Sequence, residues 1–260
     1  MKKILRLTSV ITLWALLLCI LASCNLISKD PAEVISTAEE ALSSTPYKME
    51  MGIQLTSEDE GMKETIDKLS SPTLTLVVDG ESFMASSSYR LDGRLLSSKY
   101  TAIDGVIYYE GYEENTEKTE FVKEKTTLTD EVKDRILNRF RGVSYLDPDS
   151  FGKVSATGFG KECVITCTEI KDEALKNVED VLSGSLSHLS AVVGVKDASL
   201  LLQVSDGKYQ GAVFTCTYVV TTDSDVYTVV MTAGALYEYN TGATVVSPAD
   251  AANYKEAPII

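Results

Sequence analysis

Residues 73–111 read TLTLVVDGESFMASSSYRLDGRLLSSKYTAIDGVIYYEG, and three dipeptides within them decide the fold. Asp79-Gly80, Asp92-Gly93 and Asp104-Gly105 separate runs rich in β-branched and aromatic residues. A tight hairpin turn needs positive φ, which costs Gly nothing and Asp little. Three such turns in so short a span predict an antiparallel meander. A parallel, doubly wound sheet is excluded, because each of its crossovers consumes about a dozen residues.

Reading outward, strands are expected at Thr73–Val78, Ser82–Leu91, Leu95–Ile103, Val106–Gly111 and Lys118–Glu124. Upstream, Tyr47, Met49, Met51, Ile53 and Leu55 alternate with Lys48, Glu50, Gly52, Gln54 and Thr56, the pattern of a strand with one buried face. Downstream, strands are expected at Lys153–Thr157, Glu162–Glu169, Ala198–Val204, Tyr209–Thr221, Val226–Tyr239 and Ala243–Val246. Asp206-Gly207 and Asp223-Ser224 supply two further turns.

Helices punctuate this order. Asp30, Pro31 and Glu33 form a start signal for an amphipathic helix with Val34, Ile35, Ala38, Ala41 and Leu42 on one face, ended by Thr45-Pro46. The acidic segment from Glu58 continues as a short helix towards Leu69. Thr129 caps a second main helix with Val132, Ile136, Leu137 and Phe140 on its stripe, and a third is expected from Asp172 to about Ser190. The expected class is α+β, mainly antiparallel β, with about eleven strands and about three main helices.

The chain has 260 residues, 38 acidic against 24 basic, and a formal net charge of −14. So large an acidic excess, with no Lys/Arg-rich window, repels phosphate backbones and argues against a nucleic-acid partner. The 44% hydrophobic content suffices for a packed core.

The first residues set the compartment. Met1 to Arg6 is basic, and Leu7 to Leu21 is apolar but shorter than the roughly 20 residues that a spanning helix needs. Leu21, Ala22, Ser23 and Cys24 follow, matching the lipobox of bacterial lipoproteins at all four positions. In that family the Cys is lipidated through its sulfur and becomes the first mature residue. The resemblance implies cleavage after Ser23 and an acyl anchor on Cys24; the alternative is an ordinary secretory signal followed by an ordinary Cys. The expected organisation is a signal peptide over residues 1–23, a lipidated tether over 24–29 and one domain over 30–260. The anchor makes the membrane the expected partner and the outer side of the bacterial cell membrane the expected location.

Cys163, Cys167 and Cys216 remain after the leader and the lipidated position. Four residues along a strand span about 13 Å, so Cys163 and Cys167 cannot bridge, though Cys216 could face either across a ladder. A metal site would need further ligands at suitable spacing, and the single His of the chain, His188, stands alone in a Ser-rich stretch. Buried small hydrophobes are the expected role.

Catalytic motifs are sparse. No Gly-rich phosphate loop, His-Glu-x-x-His pair or nucleophile elbow occurs, and the acidic pairs at Asp147-Pro148-Asp149 and Asp223-Ser224-Asp225 read as turns. No enzyme activity, cofactor or metal is expected. Several strands instead carry apolar residues on both faces: Val77 opposes Leu76 and Val78, Leu201 opposes Leu200 and Leu202, and Val213 and Val219 oppose Phe214 and Tyr218. Both faces are then at least partly covered, or one lines a cavity.

A lipobox, a short linker, an amphipathic helix, a long meander interrupted by helices, and a terminal Val245-Val246-Ser247-Pro248 segment followed by Ala-rich residues and Tyr254 resemble the LolA/LolB and LppX/LprG-like superfamily. The resemblance implies a curved, incompletely closed β-barrel with helices packed on or in its concave face and acyl chains held between them. Carried over by position, the apolar lining candidates are Met49, Met51, Leu74, Leu76, Tyr100, Tyr108, Leu200, Leu202, Phe214 and Tyr218. The chain carries no identifiable hand-over motif. The expected function is non-catalytic binding of a lipid or acylated ligand by a monomer; the rival is a ligand-free envelope scaffold or interaction module.

Overall fold

The computed structural model describes residues 27–67, 72–91, 94–114, 119–141, 148–176, 179, 192–221 and 225–257. Cys24, His188, Asp92-Gly93, Asp147, Asp223-Ser224 and most of the third expected helix lie outside them; within that helix, 172–176 are helical.

Beside the helical residues 172–176, the described α-helices are α1 (Pro31–Ser44), α2 (Glu60–Asp67) and α3 (Asp130–Arg141). Asp30 caps α1, its carboxylate accepting from Ala32 N at 3.0 Å with Pro31 in the first turn, where the missing N–H leaves no bond unmade. Thr129 Oγ1 accepts from Val132 N at 3.3 Å and starts α3 as its sequence predicts.

The first group of strands is β1 (Ile27–Lys29), β2 (Tyr47–Thr56), β3 (Thr73–Asp79), β4 (Ser82–Leu91), β5 (Arg94–Ile103), β6 (Val106–Glu114) and β7 (Thr119–Thr127). The second is β8 (Phe151–Phe159), β9 (Glu162–Ile170), β10 (Val192–Ser205), β11 (Lys208–Thr221), β12 (Val226–Tyr239) and β13 (Lys255–Glu256). All 13 belong to one curved, unclosed sheet in the order β1-β8-β9-β10-β11-β12-β2-β3-β4-β5-β6-β7-β13. Two antiparallel meanders, β2–β7 and β8–β12, are sewn together where β12 pairs with β2 from Tyr239↔Tyr47 to Val230↔Thr56. The expected count of about eleven falls short chiefly through β1 and β13, short edge strands with no periodic pattern. Conversely, the segment expected as a strand at Ala243–Val246 is not one.

The turns behave as their chemistry requires. Asp104 and Gly105 have φ of 53° and 74°, and Asp206 and Gly207 have 50° and 70°, each pair closing a two-residue hairpin with both residues in the left-handed region. At Asp79-Gly80 the turn falls one residue later: Asp79 pairs with Ser82, leaving Gly80 (φ 61°) and Glu81 as the loop.

One face of the sheet, here called inner, carries the core. By register, Met49 aligns with Leu76, Leu76 with Ala85, and Ala85 with Tyr100; across the seam Met51 aligns with Ala235, Ala235 with Ala212, and Ala212 with Leu202. Ala38 and Leu42 of α1 and Ile136 and Leu137 of α3 join the same buried cluster. The helices are exchanged between the meanders. α1, which precedes the first meander, packs on β8 and β11 of the second, whereas α3, which precedes the second, packs on β3 and β4 of the first. This exchange and the β12–β2 seam tie the two meanders into one sheet over one buried cluster.

The outer face is crossed by the chain after β12. Asn240 N donates to Pro46 O beside β2, and Lys255 and Glu256 pair in parallel with Glu124 and Lys125 of β7. The intervening residues therefore traverse β2 to β7. The row they cross, Val77, Met84, Thr101 and Tyr108, lies on the outer side by register, and Val77 and Thr101 are buried in it, as are Val245 and Tyr254 of the crossing segment. The second-face apolar Val77 thus has a cover, whereas Leu201, Val213 and Val219 remain half-buried.

Candidate functional site

Nine of the ten lining candidates share the inner face, as register shows. Met51 aligns with Leu74 and Met49 with Leu76; Leu200 aligns with Phe214; Leu202 and Tyr218 fall in step along β10 and β11; Tyr100 lies opposite Ala85. Tyr108 is the exception. It aligns with Thr101 and Lys125, on the outer side, and its neighbour Tyr109 aligns with Tyr100. Counting outward from the Asp104-Gly105 turn, four residues each way reach Tyr100 and Tyr109, so the tyrosine that shares the inner face with Tyr100 can be read from the turn position.

These inner residues differ in access. Met49, Leu76, Leu200 and Phe214 are at most 1% exposed, beneath the helices and the curl of the sheet. At one end Tyr47, Tyr237 and Tyr209 pack in sequence, ring centroids 6.3 and 6.0 Å apart. At the end of β4 to β7 away from the Asp104-Gly105 turn the face opens into a cleft of about 280 Å³, whose lining includes Ser87, Tyr89, Ser98, Tyr109, Gly111 and Val122. Tyr109 bridges the two regions: its ring stands 5.0 Å from that of buried Tyr100, and its hydroxyl lies where a Cβ on Gly111 would come within 2.7 Å. Gly111 is therefore what lets Tyr109 lie along the floor of the cleft. A second hollow, of about 350 Å³, lies between the start of α1 and the β8–β9 and β10–β11 turns, with Lys29, Asp30, Glu33 and Asp206 beside Val34, Cys163 and Val204.

The three cysteines are free thiols, all buried and all inner-facing: Cys163 aligns with Val204, Cys167 with Leu200 and Cys216 with Ala198. Burial pushes the Cys167 and Cys216 thiols up to about 11, and raises Cys163 against the opposing pull of Lys29. Such thiols are protonated and poor nucleophiles at neutral pH. Burial, with a smaller contribution from Cys216, also raises Tyr218 to about 12.

On the outer face, Tyr254 meets Tyr108 edge to face and its hydroxyl bonds to Glu110, while Lys123 pairs with Asp250 and lies 5.4 Å from the Tyr254 ring. Burial and Glu110 hold the Tyr254 phenol well above its ordinary value. This cluster holds down the crossing segment. Among the described residues no group of three or more His, Cys, Asp or Glu side chains is arranged to hold a metal ion.

No family model matches the chain, and no curated protein does. Among solved structures, the ywiB protein of Bacillus subtilis is similar at 9% identity over 76% of this chain and 93% of its own, with a TM-score of 0.20. The dehydratase domain of the polyketide PpsC from Mycobacterium tuberculosis is similar at 9% identity over 80% and 81%, with a TM-score of 0.14. The dehydratase domain from the CurF module of Curacin polyketide synthase has 8% identity and a TM-score of 0.14. Likenesses this slight carry no argument about fold or activity.

Proposed function

We propose that this chain is an extracytoplasmic lipoprotein, held at the bacterial cell membrane through an acylated Cys24, that binds a hydrophobic ligand against the inner face of its open half-barrel without catalysing a reaction. The observation that carries the ligand reading is the cleft over β4 to β7. It is a part of the inner face where Tyr89, Tyr109 and Val122 stay open to a guest, beside Ser87 and Ser98 and with Glu113 and Glu120 at its side. The volume suits a short or partly inserted chain with a polar end for the serines, and Tyr109 leads from it to Tyr100 and the buried row.

The deep burial of Met49, Leu76, Leu200 and Phe214 favours a second reading, in which the same sheet is a filled scaffold for protein interactions at the envelope. One experiment separates the two. Native extraction of the membrane-bound protein followed by lipid mass spectrometry should recover an acyl species in about equimolar amount beyond the anchor itself. Recovery of the anchor alone, with a Tyr109→Ala variant indistinguishable from the parent, would leave the scaffold.

A further inference from the structure

We infer that the sheet corner carrying Ile27 and Phe159 seats in the bilayer surface, so that the domain is oriented on the membrane and not merely leashed to it. The inference rests on the reading of Cys24 as the acylated residue.

The register of β1 fixes where the anchor enters. Ile27 aligns with Gly158 and Lys29 with Ala156, so the chain reaches β1 from the end of the sheet that holds the β8–β9 turn. Three residue steps separate Cys24 from Ile27, which span at most about 11 Å even when fully extended. The expected five-residue linker is therefore mostly absorbed into the sheet. An acyl group on Cys24 brings this corner, rather than a freely turning domain, to the lipid headgroups.

The side chains at the corner suit that place. Ile27 is 63% exposed and Phe159 is 65% exposed, an unusual degree for residues of this size on an otherwise acidic protein. They project on opposite sides of one edge, since Ile27 shares the inner-facing position of Gly158 and Phe159 is the next residue along β8. The nearby charged side chains are each hydrogen-bonded within the corner: Lys161 to Asp206 at 2.6 Å, Glu162 accepting from the Ser205 hydroxyl at 2.5 Å, and Lys29 donating to Gly160 O at 2.8 Å. An apolar wedge flanked by polar groups that are already hydrogen-bonded can enter the interfacial zone, about 5–10 Å deep, where headgroups and water still reach the charges beside it.

Trp14, the single Trp of the sequence, lies in the leader, so an indole placed in the mature chain reports alone. The full-length protein, processed in a lipoprotein-competent bacterium, is purified as the Phe159→Trp variant and, separately, as the Phe121→Trp variant, which labels a 54% exposed position on β7 near the other sheet edge. Each is reconstituted into phosphatidylcholine vesicles with and without bromines on the acyl chains, and intact mass establishes the state of Cys24. The expected result is that bromines quench the indole emission of the Phe159→Trp variant about twofold or more and leave that of the Phe121→Trp variant unaffected. Unquenched emission from the Phe159→Trp variant, on a protein whose mass carries the acyl group, overturns the seating while leaving the anchor in place. Equal quenching in both variants also overturns it, since the domain would then lie without orientation. A mass showing unmodified Cys24 removes the anchor reading and this inference with it.

Discussion

Tyr254 stands edge-on to Tyr108, ring centroids 5.2 Å apart, and its hydroxyl donates to the Glu110 carboxylate. Two residues about 146 positions apart in sequence thus hold the crossing segment to the outer face, with Lys123 and Asp250 pairing alongside.

The ring should matter more than the hydroxyl. Tyr254→Ala removes a buried aromatic and is expected to cost about 3 kcal/mol of unfolding free energy, whereas Tyr254→Phe forfeits one hydrogen bond and should cost about 1 kcal/mol. Urea unfolding followed by circular dichroism measures both. Equal losses would show that the edge-to-face packing contributes nothing.

Stability should fall in alkali. Folding raises Cys167 and Cys216 to about 11 and Tyr218 to about 12, so above the unfolded values the folded state binds more protons than the unfolded one. The stabilisation is complete below the unfolded thiol value of about 8.5 and is lost as pH climbs through it, then through the phenol value of about 10, towards the folded values. Thermal melts should show a flat Tm from pH 7 to about 8 and a decline beyond it. The double variant Cys167→Ala and Cys216→Ala should lose the first part of that decline; an unchanged curve would place its origin elsewhere.

The thiols should be silent in the folded protein. With Cys24 acylated, or replaced by Ala in a chain made without residues 1–23, 5,5′-dithiobis(2-nitrobenzoic acid) should find no fast-reacting group among Cys163, Cys167 and Cys216, and three after denaturation. A thiol that reacts within seconds in native buffer would mean the inner face opens readily, and would count for an accessible cavity.

Two glycines should respond differently to Ala. A Cβ on Gly158 would stand 2.1 Å from the Glu162 carbonyl oxygen, a backbone atom of the neighbouring strand that cannot move without disturbing the ladder. Gly158→Ala should therefore cost about 2 kcal/mol or more. At Gly111 the obstacle is the Tyr109 hydroxyl at 2.7 Å, the far end of a side chain that can swing aside. Gly111→Ala should cost less than about 1 kcal/mol yet change what the cleft accepts. Reversal of that order in urea unfolding would contradict the geometry.

The meander was legible because its turns are local: Asp104-Gly105 and Asp206-Gly207 encode their own backbone conformation, and alternation from Tyr47 to Leu55 names its buried face. β1 and β13 were not legible, since two or three residues become a strand only when a partner edge lies beside them. Residues 243–246 have the composition of a strand but cross the sheet instead of joining it, which only the pairing of Lys255 and Glu256 with β7 reveals. Among the candidate residues, apolar character was sufficient to put nine on the inner face. It could not choose between the adjacent Tyr108 and Tyr109, where parity decides. Nor could it tell lining from filling, because helical stripes on α1 and α3 do not say which meander they cover.

The exchange of helices between the meanders has a consequence in time. As the chain emerges from the ribosome amino end first, α1 meets none of its strands until β8 and β11 have appeared more than a hundred residues later, and the edge of β2 that carries Tyr47, Met49 and Met51 stays unpaired until β12 arrives. The early half of the polypeptide is thus committed to waiting, with that edge unpaired until the last long strand docks.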